Sequence, residues 1–249
     1  MIPKILFYDV ETLPVLAYIW DCGKQVVRPH QIRSGEWNDI ICICYGWSGD
    51  TKIHTLSMLK HSQKEVIKRF DKILDEADCV IGQNSESFDN KVINAKRLLL
   101  GLPPNDKLYS CTDDLYRQLK RYFKFPSYKL DYVSKLFGKG GKGDIGFEDW
   151  IVIKEKRKGW RKTAEKMIKY CKKDVLDTME IWNIALPHMS PKFNMAVYKM
   201  AHCCPKCGSG ELSLNGQYQS RLSRYQRLIC KDCRGCSSFP IPSFRGAPR

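Results

Sequence analysis

Asp9 and Glu11 lie two residues apart in FYDVET, residues 7–12, at the end of an apolar run. A strand repeats every two residues, so both carboxylates point to the same side. Like charges held that close raise their own energy unless a cation or a shared proton settles it. Other acids stand where they could join the pair. In IGQNSESFDN, residues 81–90, Asn84 falls in a loop and Asp89 in the first turn of the next helix, where the helix dipole favours an acid. In YCKKDVLDT, residues 170–178, Tyr170 and Asp174 are four apart and share a helix face. Cys171 and Val175 sit beside them toward the core, whereas Asp177 is expected to face solvent. Each acid taken singly suits a structural or exposed role. Brought together on hard Mg²⁺ or Mn²⁺ they would be neutralised, and two such ions can clamp the attacking and leaving oxygens of a phosphodiester.

A second constellation lies near the C-terminus. CPKC (204–207) and CKDC (230–233) offer Cys204, Cys207, Cys230 and Cys233, four soft ligands suited to one tetrahedral Zn²⁺. Between them ELSLNGQYQ and RYQRLIC read as strands around a turn, the pattern of a zinc ribbon, and so small a unit needs its metal to fold. His202, Cys203 and Cys236 flank the set and are read as spares. The chain has 12 cysteines, but MIPKILFYDVE does not read as a secretory signal, so no disulfide framework is expected. No apolar run approaches the ~20 residues of a membrane span, so no membrane partner is expected.

With 42 Lys and Arg against 27 Asp and Glu, the formal charge is +15, which favours polyanionic partners. The middle of the chain is the most basic part, KEKRKGWRK (154–162) most of all. Lys129, Lys154, Arg157, Lys158 and Arg161 there, with Arg221, Arg224 and Arg227 in the tail, are the candidates for nucleic-acid contact. Trp150 and Trp160 are read as a base-stacking platform or, more plainly, as a core anchor.

The elements that would position these groups interleave. Strands are expected at 4–9, 40–47, 51–56, 79–82 and 107–111, and the segment 13–38 is irregular. Helices are expected at 61–76, with Val66, Phe70, Ile73 and Leu74 on one side, and at 88–101, 113–123, 128–137 and 159–184. Tyr128, Leu130, Val133 and Leu136 are read as core, and Asp113 as structural. The glycine run 138–146 is flexible and incompatible with helix. This order argues an α/β sheet domain at 1–190, a linker at 191–201, and a ribbon with a basic tail at 202–249.

FYDVET, the IGQN…FD segment and Y-x-x-x-D, in this order, resemble the DnaQ-like exonucleases of the DEDD superfamily, and Tyr170 resembles the mark of their DEDDy branch. The resemblance covers roughly residues 4–185. It implies a ribonuclease H-like mixed five-stranded sheet flanked by helices, and removal of nucleotides from a 3′ end. It implies metal ligation by Asp9, Glu11, Asp89 and Asp174, positioning by Asn84, and orientation of the attacking water by Tyr170. The expected protein is thus a 3′–5′ exonuclease acting on DNA with two Mg²⁺ or Mn²⁺ and one Zn²⁺, its ribbon gripping nucleic acid or docking on a replication protein. It would be a cytoplasmic replication or repair factor, bacterial or virus-encoded. An endonuclease or RNA-trimming enzyme on the same fold, and an inactive nucleic-acid-binding adaptor, are the alternatives.

Overall fold

Alternation along the first strand decides the layering. In a computed structural model, which describes residues 3–24, 26–35, 37–110, 112–139, 145–200 and 202–241, strand β1 spans Ile5–Thr12. Leu6, Tyr8 and Val10 face one core, whereas Ile5 and Phe7 face another. The odd-numbered face therefore also carries Asp9 and Glu11. β2 (Ile40–Trp47) pairs antiparallel with β1, and β3 (His54–Ser57) antiparallel with β2. α1 (Gln63–Glu76) follows, opened by Ser62, whose hydroxyl accepts the Glu65 N–H while the Glu65 carboxylate accepts the Ser62 N–H. Such a reciprocal cap is worth about 1 kcal/mol. β4 (Cys79–Gly82) lies parallel to β1 and leads into α2 (Asp89–Leu99).

Residues 107–111 were expected to be a strand; the structure has a short helix, α3 (Lys107–Ser110), and then β5 (Thr112–Asp114), parallel to β4. The Asp106 carbonyl accepts the Tyr109 and Ser110 N–H groups and winds the segment up before the strand begins. Cys111 lies outside the described residues. α4 (Leu115–Tyr122), α5 (Leu130–Leu136), α6 (Phe147–Lys154) and the long α7 (Trp160–Ala185) complete the unit, and α8 (Met195–Lys199) follows it. Of the glycine run, residues 140–144 lie outside the described residues, as do 242–249 of the basic tail.

The result is a mixed five-stranded sheet, β3-β2-β1-β4-β5, flanked by helices. Val66, Phe70 and Leu74 of α1 and Ile93 of α2 cover the even face; Cys171, Val175 and Trp182 of α7 cover the odd face. Phe193 and Met195, in the segment expected to be a linker, are buried in the same core as α7, and the Phe193 ring lies 6.2 Å from that of Trp182. Leu136, expected to be core, is 51% exposed, because the short α5 turns only Val133 and Ser134 fully inward.

The C-terminal unit is a three-stranded antiparallel sheet of β6 (Leu212–Gln219), β7 (Arg224–Cys230) and β8 (Cys236–Ile241). Among the described residues, three hydrogen bonds tie it to the segment after α7. The Met195 N–H donates to the Pro205 carbonyl at 2.8 Å, the Lys199 ammonium to that of Gly208 at 2.6 Å, and the Lys206 ammonium to that of Pro187 at 2.5 Å. Among the described residues no helix is long and apolar enough to cross a membrane.

Candidate active site and metal centre

Because β1 runs on to Thr12, Asp9 and Glu11 stand inside the strand, on the face that meets α7. Asp174 projects from α7 onto the same spot, one helical position before the buried Val175. Oxygens of Asp9, Glu11 and Asp174 lie within 4.8 Å of one another. Asp89 stands behind them, buried at the start of α2, where its Oδ1 accepts the Val10 N–H at 3.0 Å. Two local devices place it there. Gly82 lets the chain turn sharply after β4: a Cβ at that position would lie 2.5 Å from the Ser85 Cβ. The Tyr8 hydroxyl donates to the Asn90 amide oxygen, and the Asn90 amide donates to the Leu108 carbonyl at 2.9 Å, which fixes the first turn of α2 against β1.

The electrostatics of this group are unsettled without a cation. Burial pushes the Asp9 carboxyl well above the usual range, and the neighbouring charges of Asp89, Glu11 and Asp174 push it the same way. Burial also pushes Asp89 up to about 7, against the backbone N–H groups that hold it down. Carboxylates that repel one another in a partly buried cluster, with hard oxygen donors converging, fit a divalent cation such as Mg²⁺ or Mn²⁺.

The Asp89 shift has a stability consequence. Its folded pKa lies above the unfolded value of about 3.9, so its protonated form favours folding and the benefit is lost as pH rises from about 4 toward 7. Urea unfolding without divalent ions is expected to show the protein losing roughly 2–3 kcal/mol more between pH 5 and pH 8 than Asp89→Asn does. Parallel pH profiles for the two proteins would remove Asp89 from this account.

Tyr170, one turn before Asp174, donates its hydroxyl to that carboxylate; burial and the Asp174 charge both raise its pKa, so it stays a donor. Beside them lies a cleft of about 190 Å³ lined by Lys129, Tyr170, Lys173, Asp174 and Asp177. Lys129 is thus brought to the site. Lys173 was missed by sequence reading, although its place one residue before Asp174 was a usable signal. Asp177 does not face solvent as expected: it is 7% exposed and pairs with Lys173 at 2.5 Å, one helical turn away. Asn84 adopts a left-handed backbone (φ 60°) in the loop after β4, where its N–H donates to the Asp114 carboxylate at 2.9 Å. Asp114 also accepts the Glu86, Tyr116 and Arg117 N–H groups, joining that loop to the start of α4. Asp113, read as structural, is buried and accepts from the Gln118 side chain and the Lys192 N–H.

The remaining basic candidates divide. Arg157 is engaged by Glu148 at 2.6 Å and Glu155 at 2.7 Å. Arg161 lies over the Trp160 ring at 4.8 Å. Trp150 and Trp160 pack against the α7 core, which favours the anchoring role over base stacking. Lys154 is half-buried and Lys158 exposed, as are Arg221 in the turn before β7 and Arg224 and Arg227 on β7.

Beside the C-terminal sheet the sulfurs of Cys204, Cys207, Cys230 and Cys233 lie within 4.8 Å of one another. Cys204–Cys233 and Cys207–Cys230 are each 3.7 Å apart, close to the ~3.8 Å edge of a tetrahedron with 2.3 Å Zn–S bonds. The Gly235 N–H donates to the Cys233 sulfur at 3.4 Å, as thiolate ligands require. The set is compatible with a zinc ribbon, and neither Cys203 nor Cys236 belongs to it. A third group was missed in the sequence: Cys42, Cys44 and Cys171 converge within 4.8 Å beneath β1, where the Cys171 thiol donates to the Asp9 carbonyl at 3.5 Å. β-alternation on β2 and contact with α7 bring these three together, a placement the scattered sequence positions concealed.

Fold and site define an α/β chain with a mixed five-stranded sheet, a converging carboxylate group and a four-cysteine cluster. Among solved structures it is similar to the family B DNA polymerase from the hyperthermophilic archaeon Pyrobaculum calidifontis, with a TM-score of 0.54 and 19% identity over 74% of this chain. The match spans 25% of the polymerase chain, and identity at that level speaks to the fold. No protein-family model and no curated protein matches the chain.

Proposed function

We propose that this protein is a metal-dependent 3′–5′ exonuclease of the DnaQ-like, DEDDy type that releases nucleotides from DNA. The observation that carries the reading is the convergence of Asp9, Glu11 and Asp174, with Tyr170 bonded to Asp174 and Asp89 pressed against the same strand. The likeness to a quarter of a DNA polymerase and the +15 charge both favour DNA as substrate.

In this reading Asp9, Glu11, Asp89 and Asp174 would hold Mg²⁺ or Mn²⁺. When bound, such ions lower the pKa of water and stabilise the departing oxygen. The chain's own residues do the rest. Tyr170 keeps its proton on Asp174 and accepts a hydrogen bond from the attacking water, which fixes the line of approach. Lys129, in the lining of the same cleft, draws in the phosphodiester, whereas Lys173 is held by Asp177. Asn84, held by Asp114, positions the strand beside Asp89.

Tyr170→Phe keeps the ring and removes the hydroxyl. It is expected to lower the rate of nucleotide release about 10–100-fold with a KM changed less than twofold, since positioning acts in the transition state. An unchanged rate would take Tyr170 out of the mechanism. The overall reading is tested by incubating end-labelled single- and double-stranded DNA and RNA, with circular controls, in Mg²⁺ or Mn²⁺. Stepwise shortening of DNA from the 3′ end supports it. Cut circles indicate an endonuclease, preferential loss of RNA an RNA-trimming enzyme, and binding without cleavage an adaptor.

A further inference from the structure

Between the two units runs an open cleft of about 490 Å³, large enough for a nucleotide. Its walls combine the segment after α7 with the C-terminal sheet. Lys192, Lys206 and Arg227 line it together with the hydroxyls of Ser190, Tyr218 and Ser238, and no carboxylate stands among the described residues that form it. Cations and hydroxyl donors without an acid are the chemistry of an anion site. The cations are held at fixed places. Lys192 is anchored by Glu86 at 2.6 Å and the Thr112 carbonyl at 3.0 Å, and Lys206 by the Pro187 carbonyl. Arg227 is exposed, and its guanidinium has no protein partner among the described residues.

The strand register explains why Arg227 faces an aromatic surface. Tyr218 pairs with Tyr225, and Arg227 with Ser238, across β6, β7 and β8. Directly opposed residues share a face, and so do residues two apart. Tyr218, Tyr225, Arg227 and Ser238 therefore lie on one side of the sheet. The two tyrosine rings are stacked at 4.9 Å with 9° between their planes, and the Tyr218 hydroxyl lies 3.4 Å from that of Ser238. A flat aromatic pair beside an exposed guanidinium accommodates a base and its phosphate together. The cleft also touches the loop after β4: Lys192 holds Glu86, three residues before Asp89.

We infer that this junction cleft is a second nucleic-acid subsite, in which Arg227 binds a backbone phosphate of a single strand and the Tyr218–Tyr225 pair supports an adjacent base. The choice of ligand rests on the nuclease reading above. The subsite holds the strand away from the carboxylates and makes no demand on its sequence, because phosphate and stacking are common to all bases.

The test compares the full-length protein with Arg227→Glu in binding a fluorescent twelve-residue oligothymidylate, with no divalent ion added and zinc content matched. Arg227→Glu is expected to weaken binding at least tenfold at 50 mM salt, and to make the slope of log affinity against log salt shallower by about 0.7 for each phosphate lost. Tyr218→Ala is expected to weaken binding severalfold with the slope unchanged. Equal affinity and equal slope for Arg227→Glu would overturn the subsite. Hydrolysis of the oligonucleotide by the unaltered protein in Mg²⁺ is scored separately: no hydrolysis, with binding still weakened by Arg227→Glu, would sink the nuclease reading and leave the subsite standing.

Discussion

Asp9→Ala is expected to abolish Mg²⁺-dependent nucleotide release, by at least about 10³-fold or ~4 kcal/mol of transition-state stabilisation, while the protein melts no lower than before. The two halves of this expectation come from the same geometry. Asp9 sits amid Glu11, Asp174 and Asp89, whose charges all raise its pKa. In the proposed site, deleting it would remove a metal ligand and also relieve a repulsion, so activity and stability part company. Asp174→Ala should behave likewise, with the Tyr170 hydroxyl losing its acceptor as well. Rates come from release of the 3′-terminal nucleotide and stability from thermal unfolding without divalent ions. Release at the unaltered rate would end the assignment of the site. A protein that fails to fold would show instead that Asp9 serves β1.

The second large effect concerns zinc. The three strands of the C-terminal unit consist of exposed and half-buried residues, and only Cys230 among them is buried. So small an apolar content cannot hold a sheet against the entropy of roughly 40 residues. Metal binding by four thiolates, worth about 10–16 kcal/mol in comparable units, would supply the difference. Cys230→Ser is therefore expected to reduce bound zinc from one equivalent to less than about 0.1. Residues 202–241 should then become sensitive to brief proteolysis while residues 5–185 stay resistant. Full protection of the C-terminal segment in a zinc-free variant would show that packing alone sustains it.

How much of this could be read from the chain depended on the range of the interactions. Strand β2 and strand β4 have the bounds that their continuous apolar runs suggest, because burial on both faces leaves little else for IICICYGW or CVIG to do. The spacing of Asp9 with Glu11 and of Tyr170 with Asp174 set their shared faces locally. The meeting of those faces is a property of topology, since it needs β1 central in the sheet and α7 laid across it. Strand β5 was misplaced because its residues, TDD, are polar, and their burial is compensated by distant partners such as Lys192 and by the loop at Asn84. α6 was not foreseen, since FEDWIVIK carries apolar residues on several sides and its periodicity says little. β8 was also overlooked, with a proline and two serines masking an edge strand that has only one neighbour. Asp177 was assigned to solvent by its position on the helical wheel, and Lys173 drew it inward.

The three hydrogen bonds that join α8 and the Pro187 carbonyl to the cysteine-bearing turns have a geometric corollary. With its base clamped at several points instead of hanging on a tether, the C-terminal sheet stands at a set remove from the carboxylates. If the proposed nuclease and subsite both hold, a strand long enough to reach the carboxylates and the junction cleft together would be gauged as on a ruler, whereas a fragment trimmed below that length would occupy only one of them and slip away.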